Sequence, residues 1–284
     1  MTAVTAERRR ARVAPTARVG LGMLLVLALV AVAAPLLAPH DPEAVVTSRV
    51  LGSPDLSHPF GSDVLGRDVL SRVMCALRIS LLVSVAAVGV ATALAVPLGM
   101  LAGYLGGWVD SVLSRTLDML LVLPALLLAI SLIAILGPGS TVAALAIAVI
   151  YLPILARVMR SSTLVTTRNE YVVGARARGA GHVRVMVGHI LPNAIGPAVV
   201  QASVLTAFAL QLEAALSFLG LGTQPPTPSL GGMLADGRDV LTQAPWVEVF
   251  PGLAIALAVI AFTLVGDGLR RTLDPERVAA CPPP

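Results

Sequence analysis

Six runs of apolar residues, each close to the length of a membrane span, set the pattern of the chain. A transmembrane helix needs about 20 mostly apolar residues. The first run follows a cluster of arginines, as a secretory signal would. It exceeds the apolar segment of about 7 to 15 residues usual in such signals, so we expect it to remain as a span. The pattern predicts an all-α integral membrane protein with six transmembrane helices, at about 19–38, 79–105, 119–136, 141–159, 194–216 and 249–265.

The composition supports a membrane location and excludes several enzyme classes. Hydrophobic residues occupy 56% of the 284 positions and charged residues 13%, against about 25% charged in soluble domains. All 20 basic residues are arginine. A P-loop ATPase and a Schiff-base enzyme each need a lysine, so the chain belongs to neither class. We expect no catalytic residues and no cofactor in this chain.

Arginines are distributed unequally between the two sides of the predicted topology. Basic residues near span ends are retained in the cytoplasm, so the side that carries most of them is assigned as cytoplasmic. We therefore predict that both termini are cytoplasmic. Fifteen of the 20 arginines lie on the side of the N-terminus: Arg8, Arg9, Arg10, Arg12, Arg18, Arg115, Arg157, Arg160, Arg168, Arg176, Arg178, Arg184, Arg270, Arg271 and Arg277.

This topology divides the chain into four parts. They are a basic cytoplasmic N-terminus (1–18), a first transmembrane helix (19–38), an external segment (39–78) and a five-helix core (79–284). The core carries a cytoplasmic loop (160–193), an external loop (217–249) and a cytoplasmic tail (270–284). The external segment and the two loops are long connections for a compact protein, and connections of this kind are commonly functional.

The cytoplasmic loop is predicted to contain two short helices separated by glycines. Asn169 is placed to cap the first helix, and Gly179 and Gly181 to end it. The second helix is predicted to have an apolar face that lies against the bundle. This face consists of Val183, Met186, Val187 and Ile190. The loop is either a contact for a cytoplasmic partner or a hairpin that rests on anionic lipid. His182 and His189 lie seven apart with no third ligand nearby in sequence, so we predict no metal site.

The same loop carries a recognisable motif. Glu170, the run Ala175–Ala177, Gly179 with Ala180, and the run Ile190–Asn193 resemble the EAA loop of ABC importer permeases. Other blocks, in matching order, resemble the C-type dipeptide and oligopeptide permeases of that family. These blocks are His58–Asp63, Leu65–Asp68, Arg78–Leu81, Gly106–Asp110, Ser217–Gly222, Gln224–Pro226, Phe250–Gly252 and Gly266–Arg270.

The resemblance implies a type I ABC importer permease in the bacterial plasma (inner) membrane. In that family the loop docks into a separate ATPase subunit, and the implied coupling residues are Glu170, Tyr171, Ala175, Arg176, Ala177, Gly179 and Ala180. The implied partners are two ATP-binding-cassette subunits that bind the ATP, a B-type permease and an extracytoplasmic peptide-binding protein. Membrane lipid surrounds the chain, and no nucleic acid is involved. Relatives with these motifs carry dipeptides, longer peptides, nickel chelates or glycosides.

Glu213 is the one carboxylate predicted within a span, towards the outer end of the fifth. It either lines a substrate pathway and meets the amino group of a peptide, or lies at the water interface and caps the turn at Ser217–Phe218. The rival class of function is an ion-gradient-driven carrier or channel. Such carriers usually show more ionisable residues within their spans, arranged in repeated halves.

Overall fold

Within residues 15–273, which the computed structural model describes, every regular element is helical. The predicted N-terminal region up to residue 14 and the tail after residue 273 lie outside the described residues. The predicted all-α fold class is confirmed. The helices are α1 (Pro15–Leu37), α2 (Val69–Leu105), α3 (Gly107–Val122), α4 (Ala125–Leu136), α5 (Ser140–Thr167), α6 (Glu170–Ala177), α7 (His182–Val185), α8 (Leu191–Phe218), α9 (Leu230–Gly237) and α10 (Trp246–Leu273).

Five stretches of helix are long and apolar enough to cross a membrane. They are Pro15–Leu37, Val69–Leu105, Ser140–Thr167, His182–Phe218 and Trp246–Thr272. The predicted span at 119–136 is instead divided between α3 and α4, whose axes differ by 92°. The described residues therefore provide five continuous candidate spans and one bent pair, which makes six if the pair crosses as a unit.

The break between α3 and α4 has a local cause in the sequence. Proline disfavours helical backbone in the residue before it, and Leu123, before Pro124, is extended with ψ of 134°. The 12 residues of α4 reach only about 18 Å, short of the roughly 30 Å hydrocarbon core. The prediction of one continuous helix at 119–136 is therefore wrong.

Helix α2 begins ten residues earlier than the predicted span at 79–105. Asp68 caps it: its Oδ2 accepts hydrogen bonds from the Ser71 backbone N–H at 2.8 Å and from the Ser71 hydroxyl at 2.6 Å. With 37 residues, α2 is about 55 Å long and projects beyond a bilayer core. The segment between α1 and α2 covers only residues 38–68, rather than the 39–78 predicted.

Helices α2 and α5 form the closest pair in the bundle. Gly99 and Gly103 of α2 lie directly against the α5 backbone, where a Cβ on Gly103 would come 2.7 Å from the Arg160 carbonyl oxygen. Small residues four apart allow two helices to approach this closely. The role of this glycine pair is therefore close helix packing.

We expect Gly103→Ala to lower the thermal stability of the chain in detergent. The added methyl group would also come 2.9 Å from the Cβ of Thr163, so the helices must separate. Overpacking of this kind costs about 1–3 kcal/mol. Gly89→Ala, in the same helix, is the control, because a Cβ there meets no atom within 4 Å. Equal loss of stability in both variants would contradict the close-packing argument.

The two described ends of the chain lie at the same end of the bundle. Gly268 of α10 contacts Ala17 of α1, and the Tyr104 hydroxyl at the end of α2 lies 2.9 Å from Nδ1 of His182. We call this the α6 end. The opposite α9 end carries residues 38–68, α9 and the start of α10, where the Trp246 indole donates a 3.2 Å hydrogen bond to the Ser62 carbonyl. This arrangement agrees with two termini on one side, and the assignment of that side to the cytoplasm stays a prediction.

Candidate functional site

Helix α6, at one end of the bundle, contains most of the residues predicted to contact a partner. Asn169 occupies the position before its first residue, as predicted, with extended backbone angles of −68° and 142°. Its side chain makes no capping hydrogen bond to the helix. Nδ2 donates to the Tyr171 hydroxyl at 3.4 Å. The Asn169 backbone carbonyl accepts from the N–H groups of Val172 and Val173 and begins the helix without a side-chain cap.

The end of α6 is fixed by Gly179. The Gly179 N–H donates to the Arg176 carbonyl at 2.9 Å, and the Ala180 N–H to the Ala175 carbonyl at 3.2 Å. These two bonds form a Schellman motif, which places one residue in the left-handed region. Gly179 is that residue, with φ of +83°. The predicted stop is confirmed at Gly179, whereas Gly181 has φ of −65° and immediately precedes α7. Glycine is required at position 179 by the backbone conformation and not by lack of space, because a Cβ there would meet nothing within 4 Å.

One face of α6 packs against the bundle and the other is free. Val172 is buried in a cluster with Met100 of α2, Met159 of α5 and Ile190, and Ala175 is buried as well. Among the other predicted coupling residues, Ala180 is partly buried. The exposed ones are Glu170, Tyr171, Arg176, Ala177 and Gly179. Ala175 and Ala180 therefore attach the helix, while the other five predicted residues are available to a partner.

Two contacts not predicted from the sequence join the end of α2 to α6 and α7. The Arg176 guanidinium lies 5.7 Å from the centre of the Tyr104 ring, a cation–π arrangement. The same tyrosine reaches His182, the first residue of α7, through its hydroxyl. Tyr104 lies 78 residues before His182, so no local pattern points to this contact. Tyr104 therefore connects both α6 and α7 to the end of α2.

The second half of the loop differs from the predicted helix face. Ile190 is buried and Met186 partly buried, as expected, but Val183 and Val187 are 70% and 54% exposed. The buried residue of the first turn is Val185. The placement of Val183 and Val187 against the bundle is therefore wrong.

A π-helical turn at Met186–Ile190 explains this difference. Pro192 lacks an N–H, and its ring crowds the carbonyl four residues earlier, which disfavours a regular α-helical turn. The Leu191 N–H bonds instead to the Met186 carbonyl, five residues back. Residues five apart, Val185 and Ile190, then come to the same side. Helices α7 and α8 form one continuous rod, and Pro192 does not interrupt it.

Glu213 lies in the interior of the bundle, and its surroundings match neither of the two predicted alternatives completely. It is 1% exposed, so the carboxyl is not at a water interface. The predicted contact with the following turn is present, since the Ser217 hydroxyl donates to Oε1 at 2.8 Å. A role for Glu213 in a substrate pathway stays a prediction.

At the α9 end, the block 58–68 forms a buried ionic cluster. Asp63 accepts from Arg67 Nε at 2.6 Å, and its Oδ2 lies 3.4 Å from Arg72 Nε. Arg67 also contacts Asp236 of α9, with Nη2 and Oδ2 3.5 Å apart. Burial raises the pKa of Asp236 above its usual value, although Arg67 and Arg72 favour its charged form. The cluster ties residues 38–68 to α2 and α9.

Two family models match the chain. The model described as "Binding-protein-dependent transport system inner membrane component" covers residues 95–278, which include α6 and its connections to the bundle. The model described as "N-terminal TM domain of oligopeptide transport permease C" covers residues 8–54. Together they cover the first span and the chain from the last part of α2 onwards.

Several curated proteins are similar over nearly the whole chain. The dipeptide transport system permease protein DppC of Escherichia coli K12 is 46% identical, over 91% of this chain and 88% of that protein. DppC of Alkalihalophilus pseudofirmus is 42% identical, over 91% and 85%. The di/tripeptide transport system permease protein DppC of Pseudomonas aeruginosa is 41% identical, over 90% and 87%.

These matches decide between the classes of function that the sequence left open. Components of this family are multi-pass permeases of the inner membrane, are not enzymes, and work with a binding protein and a separate ATPase. A carrier driven by an ion gradient does not fit that family. The chain belongs to the inner-membrane components of binding-protein-dependent transport systems, as a permease subunit of an ABC importer.

Proposed function

We propose that this permease forms the translocation pathway for di- or oligopeptides together with a second, B-type permease. An extracytoplasmic binding protein delivers the peptide, and two ATPase subunits supply the energy. The sequence identity of 40–46% to proteins named as peptide or dipeptide permeases supports the substrate class. The position of α6, attached by one face and exposed on the other, is the observation that supports the coupling role.

In this proposal the α6 end faces the cytoplasm and the α9 end faces outwards. The unequal distribution of arginines and the position of both described chain ends beside α6 support this orientation. Residues 38–68 and α9 then form an external surface, and helices α2 to α10 form the transport core. Helix α1 packs mainly against α10, at the periphery of this core.

Coupling requires that movement of α6 be transmitted to the spans. The buried side chain of Val172 and the contacts of Tyr104 attach α6 to α2, α5 and the α7–α8 rod. When the ATPase subunits change their separation, they displace α6, and the attached helices move with it. The importer then alternates between inward-open and outward-open states, a change of the rigid-body kind known for such transitions.

A cavity lined by both apolar and charged residues lies between α2, α3 and α5 and supports a pathway on this face of the bundle. Its volume is about 300 Å³. Arg160 pairs with Asp110, at 2.6 Å between Nη2 and Oδ2, and Arg157 pairs with Asp118 at 2.6 Å. These two pairs join charged groups of α3 and α5 beside the cavity, near the α6 end of the bundle. The lining residues are Gly99, Ala102, Ser114, Leu117, Asp118, Pro153, Ala156, Arg157 and Arg160.

The substrate class is tested by reconstituting the importer with its ATPases, second permease and binding protein in liposomes. We expect ATP-dependent uptake of a radiolabelled dipeptide, and no uptake with an ATPase subunit that cannot hydrolyse ATP. A nickel chelate and a glycoside serve as competing substrates. Uptake of either of these without uptake of any di- or oligopeptide would contradict the peptide assignment, while uptake of the dipeptide without ATP would contradict the importer mechanism.

A further inference from the structure

Three potential metal ligands meet at the α9 end of the bundle, opposite α6. His40 follows α1, His58 lies in the segment 38–68, and Asp68 caps α2. One ligand atom from each of the three lies within 4.8 Å of the others. Since the residues lie 10 to 28 positions apart, the tertiary structure brings them together. We propose that they bind a divalent transition-metal ion of the Zn²⁺ class.

The distances suit such an ion. His58 Nδ1 lies 2.8 Å from Asp68 Oδ1, and His40 Nδ1 lies 3.9 Å from Asp68 Oδ2. Zinc bonds of about 2.0–2.1 Å in tetrahedral geometry place neighbouring ligand atoms roughly 3.3 Å apart. The two distances end on different oxygens of the Asp68 carboxylate and lie on either side of that value, so binding the ion requires His40 to move closer and His58 Nδ1 to move away from Oδ1. Two imidazole nitrogens and a carboxylate form a donor set that suits zinc.

The ligands are held in position by further contacts. The rings of His40 and His58 are stacked, with centroids 4.3 Å apart and an angle of 24° between the planes. Ser71 donates to Asp68 Oδ2 and accepts from the His40 backbone N–H at 3.1 Å. Asp55 accepts from the His58 backbone N–H at 2.6 Å. Such outer contacts orient metal ligands and raise affinity.

Burial and access also suit a metal site. Asp68 and His58 are buried, whereas the His40 side chain is 41% exposed. An ion therefore enters from the His40 side, and water completes its coordination there. Coordination through Nδ1 requires the His58 tautomer that carries its proton on Nε2, so that the Nδ1 lone pair is available to the ion. The bound ion links the chain after α1 to the start of α2.

Zinc binding by the full-length chain tests this inference. The chain is purified in detergent with an affinity tag that contains no histidine, stripped with a chelator and titrated with Zn²⁺. We expect about one retained ion per chain in the wild type, measured by elemental mass spectrometry after desalting. In His40→Gln the affinity should fall at least about tenfold, since it removes an exposed ligand. His189→Gln, which removes a histidine at the α6 end, should bind as the wild type does.

Thermal unfolding separates loss of the site from loss of the fold. Without zinc, His40→Gln should unfold at the wild-type temperature, and zinc should raise the unfolding temperature of the wild type and of His189→Gln only. The inference is overturned if the wild type retains no zinc at micromolar concentrations. Equal zinc retention by His40→Gln and the wild type would overturn it as well.

Discussion

Gly179→Val should leave the chain inserted in the membrane but remove most ATP-driven transport. Gly179 has φ of +83°, a conformation that costs an ordinary L-residue about 1–2 kcal/mol and a β-branched one more. This cost opposes the two hydrogen bonds that end α6, so the helix end unwinds and its exposed residues lose their arrangement. A cost of 1–2 kcal/mol corresponds to roughly a 5- to 30-fold loss of the correctly folded loop. Peptide uptake and co-purification of the ATPase subunits are the measurements.

Gly179→Asn is the matched control for this variant. Asparagine tolerates the left-handed region far better than valine, and a side chain here meets no neighbouring atom. We therefore expect Gly179→Asn to retain most of the transport and to co-purify with the ATPases. If the valine variant transports as well as the asparagine variant, the end of α6 does not act in coupling.

Asp63→Asn should be among the most destabilising single substitutions outside the spans. The Asp63 carboxylate is buried and faces the guanidinium groups of Arg67 and Arg72, which are themselves buried. Removing its charge leaves two buried cations without their common partner. Breaking a buried ion pair in this way costs about 3–5 kcal/mol. A lower unfolding temperature in detergent is the measurement.

Asp239→Asn provides the comparison for this prediction. Asp239 also pairs with an arginine, Arg238, at 3.1 Å, but its side chain is 77% exposed. Exposed pairs contribute about 0–1 kcal/mol, so the unfolding temperature should hardly change. A similar result for both variants would show that the ionic cluster at residues 63–72 does not hold the α9 end together.

Features that depend on neighbouring residues could be predicted from the sequence. Five spans follow from apolar runs, because a bilayer requires a minimum length of apolar helix. The end of α6 at Gly179 follows from the need for glycine in the left-handed region. The break at Pro124 is also caused by a single residue and its neighbour. The apolar run continues through this position, so hydrophobicity alone predicts an unbroken helix there.

Features that depend on distant residues or on irregular helix were not predictable. The prediction of the buried face of the second loop helix rests on regular α-helical spacing. The π turn before Pro192 changes that spacing and therefore changes which residues face the bundle. Tyr104 meets Arg176 and His182 only after α2 and the loop have packed together. The meeting of His40, His58 and Asp68 likewise depends on how the segment 38–68 folds back onto α2.

Site-specific cross-linking from α6 tests the central claim most directly. Val173 lies on the exposed face of α6, and replacing it with a photoreactive amino acid leaves the buried contacts of Val172 and Ala175 in place. In membranes that contain the whole importer, we expect cross-links from position 173 to an ATPase subunit. The same group at Leu56, exposed at the α9 end, should form none. Cross-links from position 173 only to lipid would show instead a hairpin that rests on the membrane, and would contradict the coupling role of α6.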